Sequence, residues 1–289
     1  MADISIIKMI PNIMSESRYR ILSSNNYQEK QMKQYIVDTF TDKIFMGNPA
    51  AVCVLESFPS EEIMQSIAAE NNLSETAFAV KENDRYHIRW FTPKSEIDFC
   101  GHATLATAFV LFNYYAQDTD SLNLYGQIGE FTVHKSDELI RMEFPAYKLE
   151  HIEITDMMIE ALGTIPLAAY KDRDILFILR DEDEVRDLQP DMELISKLDG
   201  ACVAVTAKGT EYDCVSRVFA PKFGLNEDPV TGSTHCMIAP YWCKRLNKPQ
   251  ITAFQASKRT GILYCECADD KVIISGKAVL FSINDIVGL

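Results

Sequence analysis

Four ionisable side chains in this 289-residue chain lie beside turns or predicted helix starts, where they could take up and release protons. His102 and Cys100 flank one predicted helix start, Asp228 precedes a second, and Glu75 lies between a predicted helix and a predicted strand. Imidazole, thiol and carboxylate groups in such places can act as general acids or bases. The positive end of a helix dipole disfavours imidazolium, so a neutral His102 is expected. Each group also has an ordinary structural explanation as a cap, a turn residue or a surface charge.

The two predicted helix starts belong to two similar segments. Phe91-Thr92-Pro93-Lys94 leads to Cys100-Gly101-His102, and Phe219-Ala220-Pro221-Lys222 leads to Thr231-Gly232-Ser233. A Gly followed by a polar residue at a helix start exposes free backbone N–H groups, which bind anions well. The repeat therefore predicts a small anionic ligand held between two related halves.

The similarity extends over several elements, each half giving strand, helix, strand, strand and a Gly-led helix. It predicts a first half over residues 32–146 and a second half over residues 147–289, whose last strand is expected to pack back on the first half. Residues 1–31 are polar and irregular and are expected to form a flexible extension outside the core fold.

The ionisable groups do not repeat with the scaffold. The position that matches Glu75 lies near Ala201-Cys202, and Ser233 stands where the first half has His102. Cys100 is matched by Thr231, which cannot titrate near neutral pH. A symmetric scaffold with an asymmetric set of ionisable groups predicts one acid–base site in the cleft between the halves.

The apolar pattern predicts an α+β fold with two pseudo-symmetric halves. Residues 103–112 are apolar or small on every side, as expected of a buried helix, and the segment from Met237 to Cys243 is similar. Short strands occur in runs without alternating long helices, which disfavours a parallel α/β sheet. We therefore predict that each half is a curled, mainly antiparallel, barrel-like sheet around a central helix.

Composition excludes several classes of partner. The formal net charge of −14 argues against nucleic acid and anionic membranes. The eight cysteines show no disulfide framework, which favours a reducing cytoplasm. Cys265-Glu266-Cys267 lacks further ligands at metal-site spacing, so no metal site is predicted.

Several motifs, in order along the chain from about Lys33, resemble the PhzF-like family of phenazine biosynthesis-like proteins. They are Val37-Asp38-Thr39-Phe40, Gly47-Asn48-Pro49-Ala50-Ala51-Val52, Asn72-Leu73-Ser74-Glu75-Thr76-Ala77-Phe78, Cys100-Gly101-His102-Ala103-Thr104 and Glu227-Asp228-Pro229-Val230-Thr231-Gly232-Ser233. The resemblance implies a diaminopimelate epimerase-like fold with the site between its halves, and a homodimer.

The same resemblance implies a cofactor-independent isomerase that moves a proton between carbons of a small carboxylated, unsaturated metabolite. By analogy Glu75 is the acid–base group, and His102 and Asp228 accompany it. The ligand-contacting positions of the family fall on Ser74, Gly101, Gly232 and Ser233. Two alternatives stay open: a two-base amino-acid epimerase or racemase using Cys100, and a non-catalytic binding protein on this scaffold.

Overall fold

A computed structural model describes residues 31–288. The predicted flexible extension therefore lies outside the described residues, apart from residue 31. The first strand of the described residues begins at Met32, where the first half is predicted to start.

The first half, as far as residue 145, contains eight strands and two α-helices, and a π-helical turn follows the second helix. In chain order these are β1 Met32–Thr39, β2 Asn48–Leu55, α1 Glu61–Asn71, β3 Glu75–Glu82, β4 Arg85–Phe91, β5 Glu96–Ile97, α2 Gly101–Val110, the π-helical turn Leu111–Tyr115, β6 Ser121–Gly126, β7 Gly129–Ser136 and β8 Leu139–Pro145.

The second half adds shorter helices to a similar framework. Its elements are β9 Glu150–Ile152, α3 Asp156–Leu162, β10 Ala168–Lys171, β11 Ile175–Ile178, α4 Glu182–Asp187, α5 Met192–Lys197, β12 Val203–Lys208, β13 Cys214–Phe219, the 3₁₀ turn Pro221–Phe223, α6 His235–Leu246, β14 Gln250–Gln255, β15 Gly261–Ala268, β16 Lys271–Gly276 and β17 Ala278–Ile286.

Strand pairing follows the same order in the two halves. In the first, β2 and β3 are parallel, β3 and β4 antiparallel, and β4 and β6 parallel. In the second, β11 and β12 are parallel, β12 and β13 antiparallel, and β13 and β14 parallel. The other pairings within residues 31–288 are antiparallel, so the mixed sheet with few helices agrees with the predicted α+β class.

The halves are joined through the sheet at two places. β8 pairs with β16 of the second half, and β17 returns to pair with β1. Along the described chain the pairings form one path from β17 through β1 to β9, with no pairing between its two end strands, so the sheet is not closed.

The register of the strands fixes which residues are equivalent. Thr76 pairs with Phe91, and Val203 pairs with Phe219, so the two Phe-x-Pro-Lys segments begin at matching points of the sheet. One residue earlier, Glu75 is matched by Cys202. The sequence places the match of Glu75 near Ala201-Cys202, and the strand register identifies it as Cys202, so a thiol stands where the first half has a carboxylate.

Each half has a helix at its core. In α2, the residues from His102 to Ala108 and Val110 are buried, as the all-round apolar pattern predicts. The second helix differs from the prediction at its start. Gly232 to Thr234 form a tight turn with hydrogen bonds three residues apart, and α6 begins only at His235. Within residues 31–288, no helix has both the length and the apolar character needed to cross a membrane.

Candidate active site

Glu75, His102 and Cys100 form one compact group at the start of α2. The Nε2 atom of His102 lies 2.9 Å from Oε2 of Glu75. The Nδ1 atom of the same ring lies 3.4 Å from Sγ of Cys100. Within residues 31–288, neither Nε2 nor Oε2 has a partner that meets the directional requirement of a hydrogen bond, so the Glu75–His102 contact is a close charge pair without hydrogen-bond alignment. The imidazole therefore lies between a carboxylate and a thiol.

Local structure brings Glu75 to this point. Helix α1 ends at Asn71 and is capped by Asn72, which has a left-handed φ of 48°, and the chain then turns into β3. Nδ2 of Asn71 donates to Oγ1 of Thr76 at 2.9 Å, which ties the helix end to the strand. The Glu75 side chain remains 15% exposed while that of His102 is 7% exposed, so Glu75 is the more exposed residue of the pair, although its Oε2 atom is buried against the ring.

Asp228 of the second half reaches the same group through Asn48 of β2. Nδ2 of Asn48 lies 2.9 Å from Oδ1 of Asp228 and 3.2 Å from Nδ1 of His102. The other carboxylate oxygen accepts from Oγ1 of Thr231 at 2.5 Å. The structure therefore brings Glu75, His102 and Asp228 together, although 153 residues separate the first and last of them in the numbered sequence.

The loop that carries Asp228 is held by a glutamine from β14. Nε2 of Gln255 donates to the carbonyl of Asp228 at 2.7 Å, and its Oε1 accepts from the backbone N–H of Thr231 at 2.9 Å. The backbone N–H of Asp228 also donates to Val218 at 3.0 Å. These contacts fix the carboxylate through backbone as well as side-chain hydrogen bonds.

The surroundings raise the pKa values of His102, Cys100 and Asp228. Burial lowers the pKa of His102, but Cys100 and the Glu75 carboxylate raise it, and the net result is a pKa well above the usual value. The direction of this shift favours imidazolium, in contrast to the neutral His102 expected from the helix dipole. Burial and the Glu75 carboxylate raise the pKa of the Cys100 thiol.

Asp228 as a whole residue is partly exposed, but its carboxylate is enclosed. Burial raises its pKa from 3.8 to about 6, against the lowering effects of His102 and of hydrogen bonds from Thr231 and Asn48. Glu75 adds a raising effect through like-charge repulsion. Asp228 can therefore change its protonation state close to neutral pH.

This shift predicts a pH dependence of stability. Between pH 3.8 and about 6 the folded protein retains a proton on Asp228 that the unfolded chain has lost, so the free energy of unfolding falls as pH rises through this range. A shift of this size corresponds to about 3 kcal/mol. We expect Asp228→Asn to lose this decline, as measured by urea unfolding at pH 4 and pH 7. The control Asp84→Asn changes an exposed aspartate. Equal declines in wild type and Asp228→Asn would contradict the assignment.

The predicted ligand-contacting residues lie around the ionisable group. Ser74 is half-buried immediately before β3, and Gly101 opens α2. Gly232 is buried in the turn before α6, where an added Cβ would lie 3.7 Å from the ring of Phe40. Ser233 follows it and is half-buried. The backbone N–H groups of Gly232 and Ser233 make no hydrogen bond within residues 31–288.

Glu75, Cys100 and His102 are also the kinds of residue that bind metals. Their ligand atoms lie within 4.8 Å of one another. However, the two ring nitrogens face different partners, with Nε2 toward the carboxylate and Nδ1 toward the thiol. A single ion bound to all three would require the ring to turn away from one partner, so the arrangement fits a proton-exchanging group better than a metal site.

Sequence reasoning did not identify Asn48, Thr231 and Gln255 as functional residues. Gly47-Asn48-Pro49 has the composition of a turn, which gives its Asn an ordinary structural explanation. The signal that could have singled it out is its position: the turn lies at the start of a buried strand that pairs with the strand carrying Glu75.

The sequence profile of phenazine biosynthesis-like proteins, PhzC-PhzF, matches residues 37–283. The chain belongs to this family. An uncharacterized isomerase of Pseudomonas aeruginosa is 45% identical over 85% of this chain and 95% of its own length. The crystal structure of a PhzF-family protein of Enterococcus faecalis has a TM-score of 0.87 and 50% sequence identity, covering 89% of this chain and 99% of that one.

The PhzC-PhzF fold is shared with a wider group of enzymes. A hydroxyproline epimerase from Agrobacterium vitis has a TM-score of 0.58 and 10% identity, covering 90% of this chain and 93% of that one. At this identity the likeness concerns the fold alone, and it agrees with the predicted epimerase-like architecture. Three bacterial relatives that are 42–45% identical over 85–86% of this chain are named isomerases. Together with the family match, they show that this PhzC-PhzF protein is an isomerase, which disfavours the non-catalytic alternative.

Proposed function

We propose that the protein is a cofactor-independent isomerase that moves a proton between two carbons of a small carboxylated, unsaturated metabolite, with Glu75 as the acid–base group. The observation that carries this proposal is the placement of Glu75, whose Oε2 lies 2.9 Å from Nε2 of His102 while its side chain stays 15% exposed. A side chain so placed is anchored at one carboxylate oxygen and is not fully enclosed, as a general base requires.

The proposed reaction conserves the composition of the substrate. The Glu75 carboxylate takes a proton from one carbon, and the C–H bonding pair forms a new double bond to the neighbouring carbon. The electron pair of the existing double bond shifts to the far carbon of the conjugated system. Glu75, whose carboxyl proton exchanges with solvent, then delivers a proton to that far carbon. His102 orients the carboxylate and stabilises its anionic form before the proton is taken. Asp228 faces the same space from the other half and can exchange a proton with a polar substituent near pH 6.

Local donors would hold the substrate carboxylate. The chain carries a formal net charge of −14, so its overall field repels an anion. The free N–H groups of Gly232 and Ser233, the start of α2 at Gly101 and the hydroxyl of Ser74 supply attraction at short range. These donors also suit the negative charge that develops when the proton leaves carbon.

The two-base epimerase receives less support from the geometry. Its second base would stand at Thr231, whose hydroxyl donates to Asp228 and cannot serve as a base near neutral pH. Its first base would be Cys100, whose buried thiol has a raised pKa. Neither of the two positions, Cys100 and Thr231, therefore supplies the reactive thiolate that a two-base mechanism requires.

Turnover in heavy water separates the two reactions. For any unsaturated carboxylic acid that the enzyme converts, we expect deuterium at a carbon other than the one that lost its proton, as read by NMR of the product. Cys100→Ser should retain this labelling. Deuterium at the original carbon with inversion of configuration, lost in Cys100→Ser, would instead establish the epimerase.

A further inference from the structure

Asn48 is a buried residue of the site whose amide nitrogen donates to two oxygen acceptors and lies beside the ring of His102. Its Nδ2 atom lies 2.9 Å from Oδ1 of Asp228, 2.9 Å from the carbonyl oxygen of Val230 and 3.2 Å from Nδ1 of His102. The amide has two hydrogens. The two shorter contacts use them, and His102 then lies against the amide with Nδ1 free to face Cys100.

The chemistry of the neighbours fixes the orientation of this amide. If oxygen and nitrogen were exchanged, the amide oxygen would face both a carboxylate and a carbonyl, and two acceptors would lie against a third. In the orientation found, both of these oxygens receive a hydrogen. Asn48 is completely buried, so no solvent donor could replace its amide without opening the site.

Both halves hold the backbone of Asn48 in place. Oγ1 of Thr39 donates to its carbonyl at 2.8 Å from within the first half. From the second half, the guanidinium of Arg259 donates to the carbonyls of Gly47 and Met46 at 2.7 and 2.9 Å. The same guanidinium donates to Asp38 at 2.7 Å. The amide is therefore presented to Asp228 from a rigid position.

Several charged or titratable groups face Asp228. His102 of α2 attracts its negative charge, whereas Glu75 of β3 disfavours it. Cys202 before β12 also lies near Asp228, but the pKa of its thiol is raised to about 12, chiefly by burial, so the thiol stays neutral while Asp228 titrates. Thr231 donates to one carboxylate oxygen, and Asn48 donates to the other. The contribution of Asn48 can thus be separated from the others by removing its amide alone.

We propose that Asn48 is a positioning residue that holds the carboxylate of Asp228 beside His102 across the cleft and keeps it available for proton exchange. This inference deepens the proposed function, on which its catalytic meaning rests. The hydrogen bond from Asn48 to Asp228, which joins the two halves and stabilises the charged carboxylate, exists in the substrate-free protein. It can therefore be tested without a substrate, and the result does not depend on whether the proposed reaction is correct.

The test is an NMR titration of protein labelled with ¹³C at the aspartate side-chain carboxyl carbon, with the Asp228 signal assigned from its loss in Asp228→Asn. In wild type we expect a midpoint near pH 6. In Asn48→Leu, which has similar shape and no donor, we expect the midpoint to rise by about one pH unit, because a hydrogen bond to the charged form is lost. Asn48→Ala should shift it in the same direction. An unchanged midpoint in either folded variant would overturn the proposal.

A matched control and a measurement on wild type complete the design. Asn123→Ala removes an exposed asparagine of β6 and should leave the Asp228 midpoint unchanged. In wild type labelled with ¹⁵N at asparagine, the Asn48 side-chain amide protons should titrate with the same midpoint as Asp228. Amide signals that stay constant through that titration would refute the proposed coupling, even if both Asn48 variants failed to fold.

Discussion

Glu75→Gln is expected to lower the rate of isomerisation by about 10³-fold and to abolish deuterium incorporation from heavy water. An amide has nearly the shape of a carboxylate but cannot accept a proton from carbon. Because Glu75 is only partly buried and keeps its neighbours, the variant should fold normally and bind substrate with a similar KM. The measurements are kcat, KM and product labelling with a substrate found in the heavy-water assay.

The same strand supplies a matched control for this substitution. Glu82, at the other end of β3, also lies beside a histidine, with its Oε1 3.5 Å from Nδ1 of His87. Glu82→Gln therefore removes a carboxylate from a second Glu–His pair that lies outside the cleft. We expect its kcat to stay within about twofold of wild type. A Glu75→Gln enzyme with wild-type kcat would rule out Glu75 as the proton-transferring group.

Gly47→Ala is expected to lower the free energy of unfolding by about 3 kcal/mol or more. Gly47 has a left-handed φ of 67°, and an added Cβ would lie 2.0 Å from the carbonyl oxygen of Thr39. The methyl group would push β1 and β2 apart next to Asn48. Urea unfolding of wild type and variant measures the loss of stability, and the Asp228 titration reports whether the site is distorted as well.

Gly163→Ala separates the two causes of that loss. Gly163 has a similar φ of 73°, but an added Cβ would meet no atom within 4 Å. Gly163→Ala should therefore lose only the free energy of unfolding that backbone strain costs, about 1 kcal/mol. The excess loss in Gly47→Ala measures the steric conflict with Thr39. Equal losses in the two variants would show that the close approach does not matter for stability.

Much of the architecture could be predicted because the chain repeats its own pattern. The paired Phe-x-Pro-Lys segments and the all-apolar stretch after Gly101 are local signals of a duplicated strand order and a buried helix. The exact start of α6 could not be predicted in this way. A Gly and two small polar residues are compatible with either a helix or a tight turn, and tertiary contacts of Thr231 and Thr234 decide between them.

The partners of the ionisable residues were less predictable. Asn48 and Asp228 are 180 residues apart, and only the folded sheet brings them within hydrogen-bonding distance. The direction of the His102 pKa shift is hard to predict from the sequence for a related reason. The helix dipole is visible in the sequence, whereas the closer Glu75 carboxylate depends on how β3 packs against α2.

The pairing of β1 with β17 has a consequence for synthesis on the ribosome. One edge of β1 can pair with β2 soon after both strands have emerged. The other edge pairs with β17, which is complete only when residue 286 has left the exit tunnel. During that interval the nascent chain presents an unpaired strand edge whose apolar residues include Tyr35 and Val37. The sheet of the first half is therefore completed late in synthesis. A chain that stops early in translation would keep the unpaired, apolar edge of β1 exposed, and chaperones or proteases can recognise such an edge.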